Sequence, residues 1–318
     1  MMIMKKRMLA VFLSALLAVS MTGCGSKKEE AGDGKLKKIT FVLDWTPNTN
    51  HTGIYEAKEK GYFKEAGLDV EIVQPPEDGA EVLVGSGKAQ FGISFQDTMM
   101  PAVVGDDALP IKAVAAVLQH NTSGIVSRKG EGIKRPKGLE GKKYATWNQD
   151  IEKAILKQVV EKDKGNFSKV EMISSTVTDE VSALKSKKVD AIWIYYGWAG
   201  IATEVAGLDT DYFAFKDIDP VFDYYTPVII AGNKVLEEKP EMVKKFLAAT
   251  SRGYGFAMEK PEESAEILHK YAPDYSLEML TMSQKYLADK YAEDADRWGE
   301  MKDQVWDNYT EFMVEYGV

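Results

Sequence analysis

Residues 39–75 decide the fold, and they read ITFVLDWTPNTNHTGIYEAKEKGYFKEAGLDVEIVQP. The apolar run 39–43 is typical of a buried strand, and residues 52–60 have the spacing of a helix that ends at Gly61. The alternation of apolar and polar residues over 68–73 predicts a second strand. A strand, a helix and a strand in such a short span indicate parallel pairing with the helix packed on the sheet.

The same alternation continues to about residue 195 and is then replaced by helices. Further strands are predicted at 90–95, 111–118, 124–127, 143–147, 170–174 and 190–195, with helices at 151–162 and 177–185. After Val235 the pattern predicts helices at 240–258, 261–271, 277–290 and 302–316. Short strands separated by helices of about ten residues predict mostly parallel sheets covered by helices.

The beginning of the chain has the pattern of a lipoprotein signal. A basic segment, residues 5–7, precedes an apolar run over 8–19 and then Cys24, the only cysteine. The run is short for a permanent membrane span, so we expect residues 1–23 to be a signal peptide. Cys24 is then the expected lipidation site, and the charged segment 24–37 is expected to be a flexible tether.

Charge and motif content exclude several classes of protein. The net charge is −9, and it falls to −12 without residues 1–23 because three positive charges are removed. Such an acidic protein is not expected to bind nucleic acid. The sequence has no CxxC or HxxxH spacing for a metal, no GxxxxGK[ST] phosphate loop and no GxSxG nucleophile motif.

Five segments together resemble the NMT1/THI5-like substrate-binding proteins. They are residues 43–75, GSGKAQFGIS at 85–94, residues 125–143, KVDAIWIYYGWAGI at 188–201 and residues 233–249. The resemblance implies an α/β periplasmic-binding-protein fold of type II, with two α/β lobes, a ligand cleft and two hinge crossings. The crossings are expected near 123–127 and 225–229. Lobe 1 is expected to hold residues 38–122 and 229–318, and lobe 2 residues 123–228.

The resemblance also implies a function. We expect the extracytoplasmic solute-binding component of an ABC importer, a monomer without a cofactor. It would be held at the cell membrane by its lipid and deliver its ligand to a permease with its ATPase. Formylaminopyrimidine, a thiamine precursor, is the expected ligand, whereas related proteins bind riboflavin or alkylsulfonates.

A pyrimidine synthase is the alternative from a different class. In the yeast enzymes that the chain resembles, a histidine matching His51 is consumed as substrate. Those enzymes also carry a cysteine-rich segment near the second crossing, where this chain has DYYTP at residues 223–227. Since Cys24 is the only cysteine, this chemistry is disfavoured.

Aromatic and polar residues follow several predicted strands, where a cleft would lie. Aromatic rings there can stack on a flat heterocycle, while carboxylates and amides bind its edge. The candidate ligand-binding residues are Asp44, Trp45, Asn48, His51, Asp97, Trp147, Tyr195, Tyr196, Trp198 and Tyr225. Asn48, His51 and Asp97 are also suited to capping helices, and Trp193 is expected in the core.

The identity of the group that binds the edge of the ligand stays open. The resemblance implies an acidic residue where this chain has Ala199. Asp44, Asp97, Glu204 and Asp223 are possible substitutes. Arginine is nearly absent from the same loops, which favours a neutral flat ligand over a sulfonate or phosphate.

Overall fold

The computed structural model describes residues 36–175 and 177–317. Within them, ten strands form two five-stranded sheets. The strands are β1 (Lys37–Val42), β2 (Leu68–Val73), β3 (Phe91–Ser94), β4 (Ile111–Ala116), β5 (Ser123–Arg128), β6 (Lys143–Thr146), β7 (Glu171–Ser174), β8 (Ala191–Tyr195), β9 (Thr210–Ala214) and β10 (Val228–Gly232).

The first sheet has the order β2-β1-β3-β10-β4. Strand β1 is parallel to β2 and β3, whereas β10 is antiparallel to β3 and β4. Val228, the first residue of β10, pairs with Ser94, the last residue of β3. The start of β10 therefore lies at the edge of the sheet where β1 and β3 end.

The second sheet has the order β7-β6-β8-β5-β9. Strand β6 is parallel to β7 and β8, and β5 is antiparallel to β8 and β9. Ser123 at the start of β5 pairs with Tyr195 at the end of β8. The two sheets thus repeat one plan, with one antiparallel strand in the fourth position.

Helices cover both sheets. They are α1 (Thr52–Glu59), α2 (Tyr62–Glu65), α3 (Gly79–Gly85), α4 (Gln96–Ala102), α5 (Asp150–Lys162), α6 (Glu180–Lys185), α7 (Ile201–Val205), α8 (Phe215–Ile218), α9 (Asn233–Glu238), α10 (Pro240–Glu259), α11 (Pro261–His269), α12 (Leu277–Ala288) and α13 (Asp303–Tyr316). None in the described part of the chain is both long and apolar enough to cross a membrane.

Helix α10 packs against the first sheet and against α1. The buried ring of Phe246 stacks on Phe91 with 3.9 Å between centroids. Where α1 and α10 cross, a Cβ atom on Gly253 would lie 1.9 Å from the carbonyl oxygen of Gly53. Only glycine allows this close approach, which brings the two helices together over the core.

Two segments connect the sheets, residues 117–122 between β4 and β5 and residues 223–227 between the second sheet and β10. The first crossing is expected near 123–127 from the sequence. In the structure those residues belong to β5, which pairs with β8 and β9, so the crossing precedes them. Val228 and Ile229, expected near the second crossing, already pair within the first sheet.

Helix α13 packs against both halves of the molecule. Tyr309, Phe312 and Met313 belong to the core of the second sheet. Trp306 packs against a cluster of the first sheet. The sequence predicts that residues 229–318 all belong to lobe 1, whereas the buried face of α13 completes the core of the other lobe.

Candidate ligand-binding cleft

The carboxyl ends of the parallel strands carry most of the candidate residues. Asp44 and Trp45 follow β1 in the first sheet, while Trp147 follows β6 and Tyr195 ends β8 in the second. The two edges meet at their base, where Phe95 and Tyr195 stack with centroids 5.9 Å apart. The hydroxyl of Thr226, in the second crossing, donates to the Tyr195 hydroxyl at 3.4 Å.

The turn after β1 is held by its own polar side chains. Asn48 Oδ1 accepts from the Asn50 amide at 2.9 Å, and its Nδ2 donates to the Thr46 carbonyl at 3.1 Å. The buried ring of His51 accepts from the Asn48 amide at Nδ1, 3.2 Å away. Its hydrogen therefore sits on Nε2, which donates to Asp44 Oδ1 at 2.6 Å.

Asn48 and His51 thus act within the turn, and Asp44 and Trp45 remain as its accessible groups. The Asp44 side chain keeps 13 % of its surface exposed although it is bonded to His51. Trp45 is 54 % exposed, which is unusual for a large apolar side chain. The turn orients a carboxylate and an indole ring at the carboxyl edge of the first sheet.

A cavity of about 210 Å³ lies at the carboxyl edge of the second sheet. Its aromatic walls are Trp147, Trp193, Tyr195 and Trp198. Its remaining lining residues are Ala145, Ser175, Val177, Glu180, Ile192, Ile194 and Ala199. The structure thereby brings together three of the predicted site residues, Trp147, Tyr195 and Trp198, around one space suited to a flat ring.

A buried carboxylate supports Trp147. Glu152, in the first turn of α5, accepts hydrogen bonds from the hydroxyls of Tyr144 and Thr146, both at 2.7 Å. It also accepts from the Trp147 amide at 3.4 Å. Burial raises the pKa of the Glu152 carboxyl. This residue is not among those predicted from the sequence, where its position five residues after Trp147 is the only signal.

Asp97 lies at the junction of the lobes, and only 8 % of its surface is exposed. Its Oδ2 accepts from the Tyr224 hydroxyl at 3.1 Å. Its Oδ1 is buried and has no hydrogen-bond partner among the described residues. Burial raises the pKa of Asp97 to about 6. Neighbouring Gln96 is bonded to the backbone of Tyr225, so the start of α4 holds the second crossing.

The structure places Tyr196 and Tyr225 away from the cavity lining. Tyr196 donates to Glu204 and packs against Tyr212 and Tyr286. Tyr225 is 2 % exposed, and its hydroxyl accepts from the Lys302 amide at 2.9 Å. Neither ring lines the cavity that contains Trp147, although Tyr196 directly follows β8 and Tyr225 lies shortly before β10.

The two crossings are joined by an ion pair. His120 Nδ1 lies 2.6 Å from Asp223 Oδ2, and its Nε2 lies 3.4 Å from Asp294. The hydrogen bond that the His120 ring donates to Asp223 raises the pKa of His120. Within the described residues, no three His, Cys, Asp or Glu side chains form a group that could hold a metal ion.

Two α/β lobes joined by two crossings, with a cleft at the strand ends, are the architecture of periplasmic binding proteins. Comparison with solved structures confirms this predicted fold. The aliphatic sulphonate binding protein SsuA of Escherichia coli is similar with a TM-score of 0.69 at 14 % identity, over 88 % of this chain and 87 % of that one.

The chain belongs to the family described as NMT1/THI5 like, which matches residues 48–264. Among its relatives, the formylaminopyrimidine-binding protein of Halalkalibacterium halodurans is 28 % identical over 80 % of this chain and 77 % of its own length. The 4-amino-5-hydroxymethyl-2-methylpyrimidine phosphate synthase THI13 of Saccharomyces cerevisiae is 28 % identical over 70 % of this chain and 68 % of its own. The relatives of this chain therefore include both a binding protein and an enzyme.

Proposed function

We propose that the protein is the extracytoplasmic solute-binding component of an ABC importer and captures a formylaminopyrimidine-type thiamine precursor. The aromatic cavity formed by Trp147, Tyr195 and Trp198 carries this proposal. Similarity to the binding protein of Halalkalibacterium halodurans supports the choice of ligand. A monomer anchored through Cys24 at the outer face of the cell membrane would deliver the ligand to a permease and its ATPase.

The size and lining of the cavity favour this ligand within its class. At about 210 Å³ it is small beside typical ligand pockets of roughly 300–1,000 Å³. A single pyrimidine ring fits such a space better than the three fused rings of riboflavin. Among the described lining residues there is no lysine or arginine to bind a sulfonate.

The state of His51 favours binding over pyrimidine synthesis. Both ring nitrogens are engaged within the turn, and the side chain is fully buried. The second crossing has Tyr224, Tyr225 and Thr226, and the only cysteine of the chain is Cys24. The chain therefore lacks the cysteine-rich segment that accompanies the histidine in the enzymes it resembles.

Titration of the soluble domain, residues 36–318, tests the proposal. Calorimetry and tryptophan fluorescence would follow the addition of formylaminopyrimidine, riboflavin and an alkylsulfonate. We expect formylaminopyrimidine to bind with micromolar or tighter affinity, about −8 kcal/mol or better. Sulfonate binding without a response to either heterocycle would overturn the proposed ligand class.

The anchor is tested separately. In cells, Cys24→Ser should leave an uncleaved precursor or release the protein, because no acyl chains can then be attached. A fully processed Cys24→Ser protein retained in the membrane would contradict the lipid anchor. The same change should leave ligand affinity unaltered.

A further inference from the structure

Glu180 is the one carboxylate among the described residues that line the second-lobe cavity. It lies in the first turn of α6, where Asp179 Oδ1 caps the helix by accepting from the Ser182 amide at 2.9 Å. The cap fixes the start of α6 just after β7, at the carboxyl edge of the sheet. This local geometry places Glu180 beside the aromatic walls.

The other acidic residues near the cleft already have partners. Asp44 is bonded to His51, Asp97 to Tyr224, Glu204 to Tyr196 and Asp223 to His120. These four residues are the ones that sequence analysis considered for the edge of the ligand. Glu180 differs from them, because no side chain in the described part of the chain donates a hydrogen bond to its carboxylate or forms an ion pair with it.

The surroundings of Glu180 are mostly apolar. Trp147, Val177 and Trp198 line the same space, and Ala199 adds no polar group. Burial raises the pKa of the Glu180 carboxyl, and the nearby charge of Asp179 raises it further. A partly desolvated carboxylate without a cationic partner is stabilised by any N–H donor that a ligand brings.

We propose that Glu180 determines specificity by accepting a hydrogen bond from the ring amino group of a flat heterocycle stacked in this cavity. This inference rests on the proposed function and assigns the residue that recognises the ligand. The same carboxylate disfavours a ligand that presents a carbonyl oxygen at this edge, because two acceptors would then face each other. It also repels anionic ligands.

The test compares two ligands on two proteins. Formylaminopyrimidine and an analogue with a carbonyl oxygen in place of its ring amino group are titrated against wild type and Glu180→Gln. A glutamine can donate as well as accept. We expect the preference of wild type for the amino compound to fall at least tenfold in Glu180→Gln, mainly through tighter binding of the carbonyl analogue.

Glu171→Gln is the matched control, since it removes an exposed carboxylate from β7 in the same lobe. It should keep the wild-type preference. An unchanged preference in Glu180→Gln, with an unchanged melting temperature, would overturn the role of Glu180 and leave the proposed function standing. Wild type that binds neither compound would instead refute the proposed function and the role of Glu180 with it.

Discussion

His51 and Asp44 share one turn, but the structure gives them different roles. His51 is fully buried and uses both ring nitrogens for the turn. Asp44 keeps part of its side chain exposed beside Trp45. From the sequence, His51 suits a ligand contact or a cap equally well, because both roles favour a polar residue at a helix start. Only the folded structure determines which atoms remain accessible.

Trp45 lies outside the second-lobe cavity, and it tests whether the ligand also stacks on the edge of the first sheet. Trp45→Ala should weaken ligand binding by about 1–3 kcal/mol, because it removes an aromatic surface that is 54 % exposed in the free protein. Trp45→Phe should recover part of the loss. Calorimetry measures both affinities, with Val314→Ala on the exposed face of α13 as the control. Equal affinity in Trp45→Ala and wild type would remove Trp45 from the site.

Asp97 should make stability depend on pH. Its pKa is raised from 3.8 to about 6 by burial, so the folded state is favoured while the carboxyl is protonated. That contribution is complete below about pH 4 and is lost as pH rises through 6. Asparagine does not titrate at this position. Relative to Asp97→Asn, the free energy of unfolding of wild type should therefore fall by up to about 3 kcal/mol between pH 4 and 7. Urea unfolding of both proteins at each pH measures this loss. If the free energy of unfolding of the two proteins changed in parallel with pH, the prediction would be contradicted.

At the scale of elements, the unit of β6, its turn and α5 depends on Glu152. Glu152→Ala leaves the buried Tyr144 and Thr146 hydroxyls without their acceptor. We expect a loss of about 2–4 kcal/mol in the free energy of unfolding. Glu161→Ala on the exposed face of α5 is the control. A loss below 0.5 kcal/mol, about the effect of an ordinary surface change, would show that Glu152 does not hold the turn.

The periodicity of apolar residues predicts a helix or strand well where the local sequence alone determines that element. The helix expected at 52–60 is α1 (Thr52–Glu59), and the strand expected at 143–147 is β6 (Lys143–Thr146). The crossing was placed within β5 because a crossing strand and a paired strand have the same apolar pattern. The sequence does not predict Glu180 as a site residue, because Glu180 and Trp147 come to line one cavity only when β6 and β7 pair.

At the scale of the whole molecule, ligand binding should bring the lobes together. A ligand that touches both strand edges stabilises the closed form over the open one. We expect a smaller radius of gyration in small-angle scattering at saturation. Ligand at one hundred times Kd should also stabilise the fold by about 2.7 kcal/mol, visible as a higher melting temperature. A radius unchanged at saturation would exclude closure.

The placement of β10 and α13 has a consequence for how the chain folds during synthesis. β10 lies between β3 and β4 in the sheet but follows them in the chain by more than a hundred residues. Strand β4 therefore cannot join β1, β2 and β3 in one sheet until β10 has been synthesised. The core of the second sheet is completed even later in synthesis, because it includes Tyr309 and Phe312 of α13. Such late, distant contacts slow folding.

Chains truncated at residue 222 should therefore be rapidly cleaved by protease, whereas a resistant fragment would show that the second lobe folds alone. A nascent chain of this protein would then have an incomplete first sheet until β10 is made and an incomplete second core until α13 is made, and it would be open to chaperones during that time.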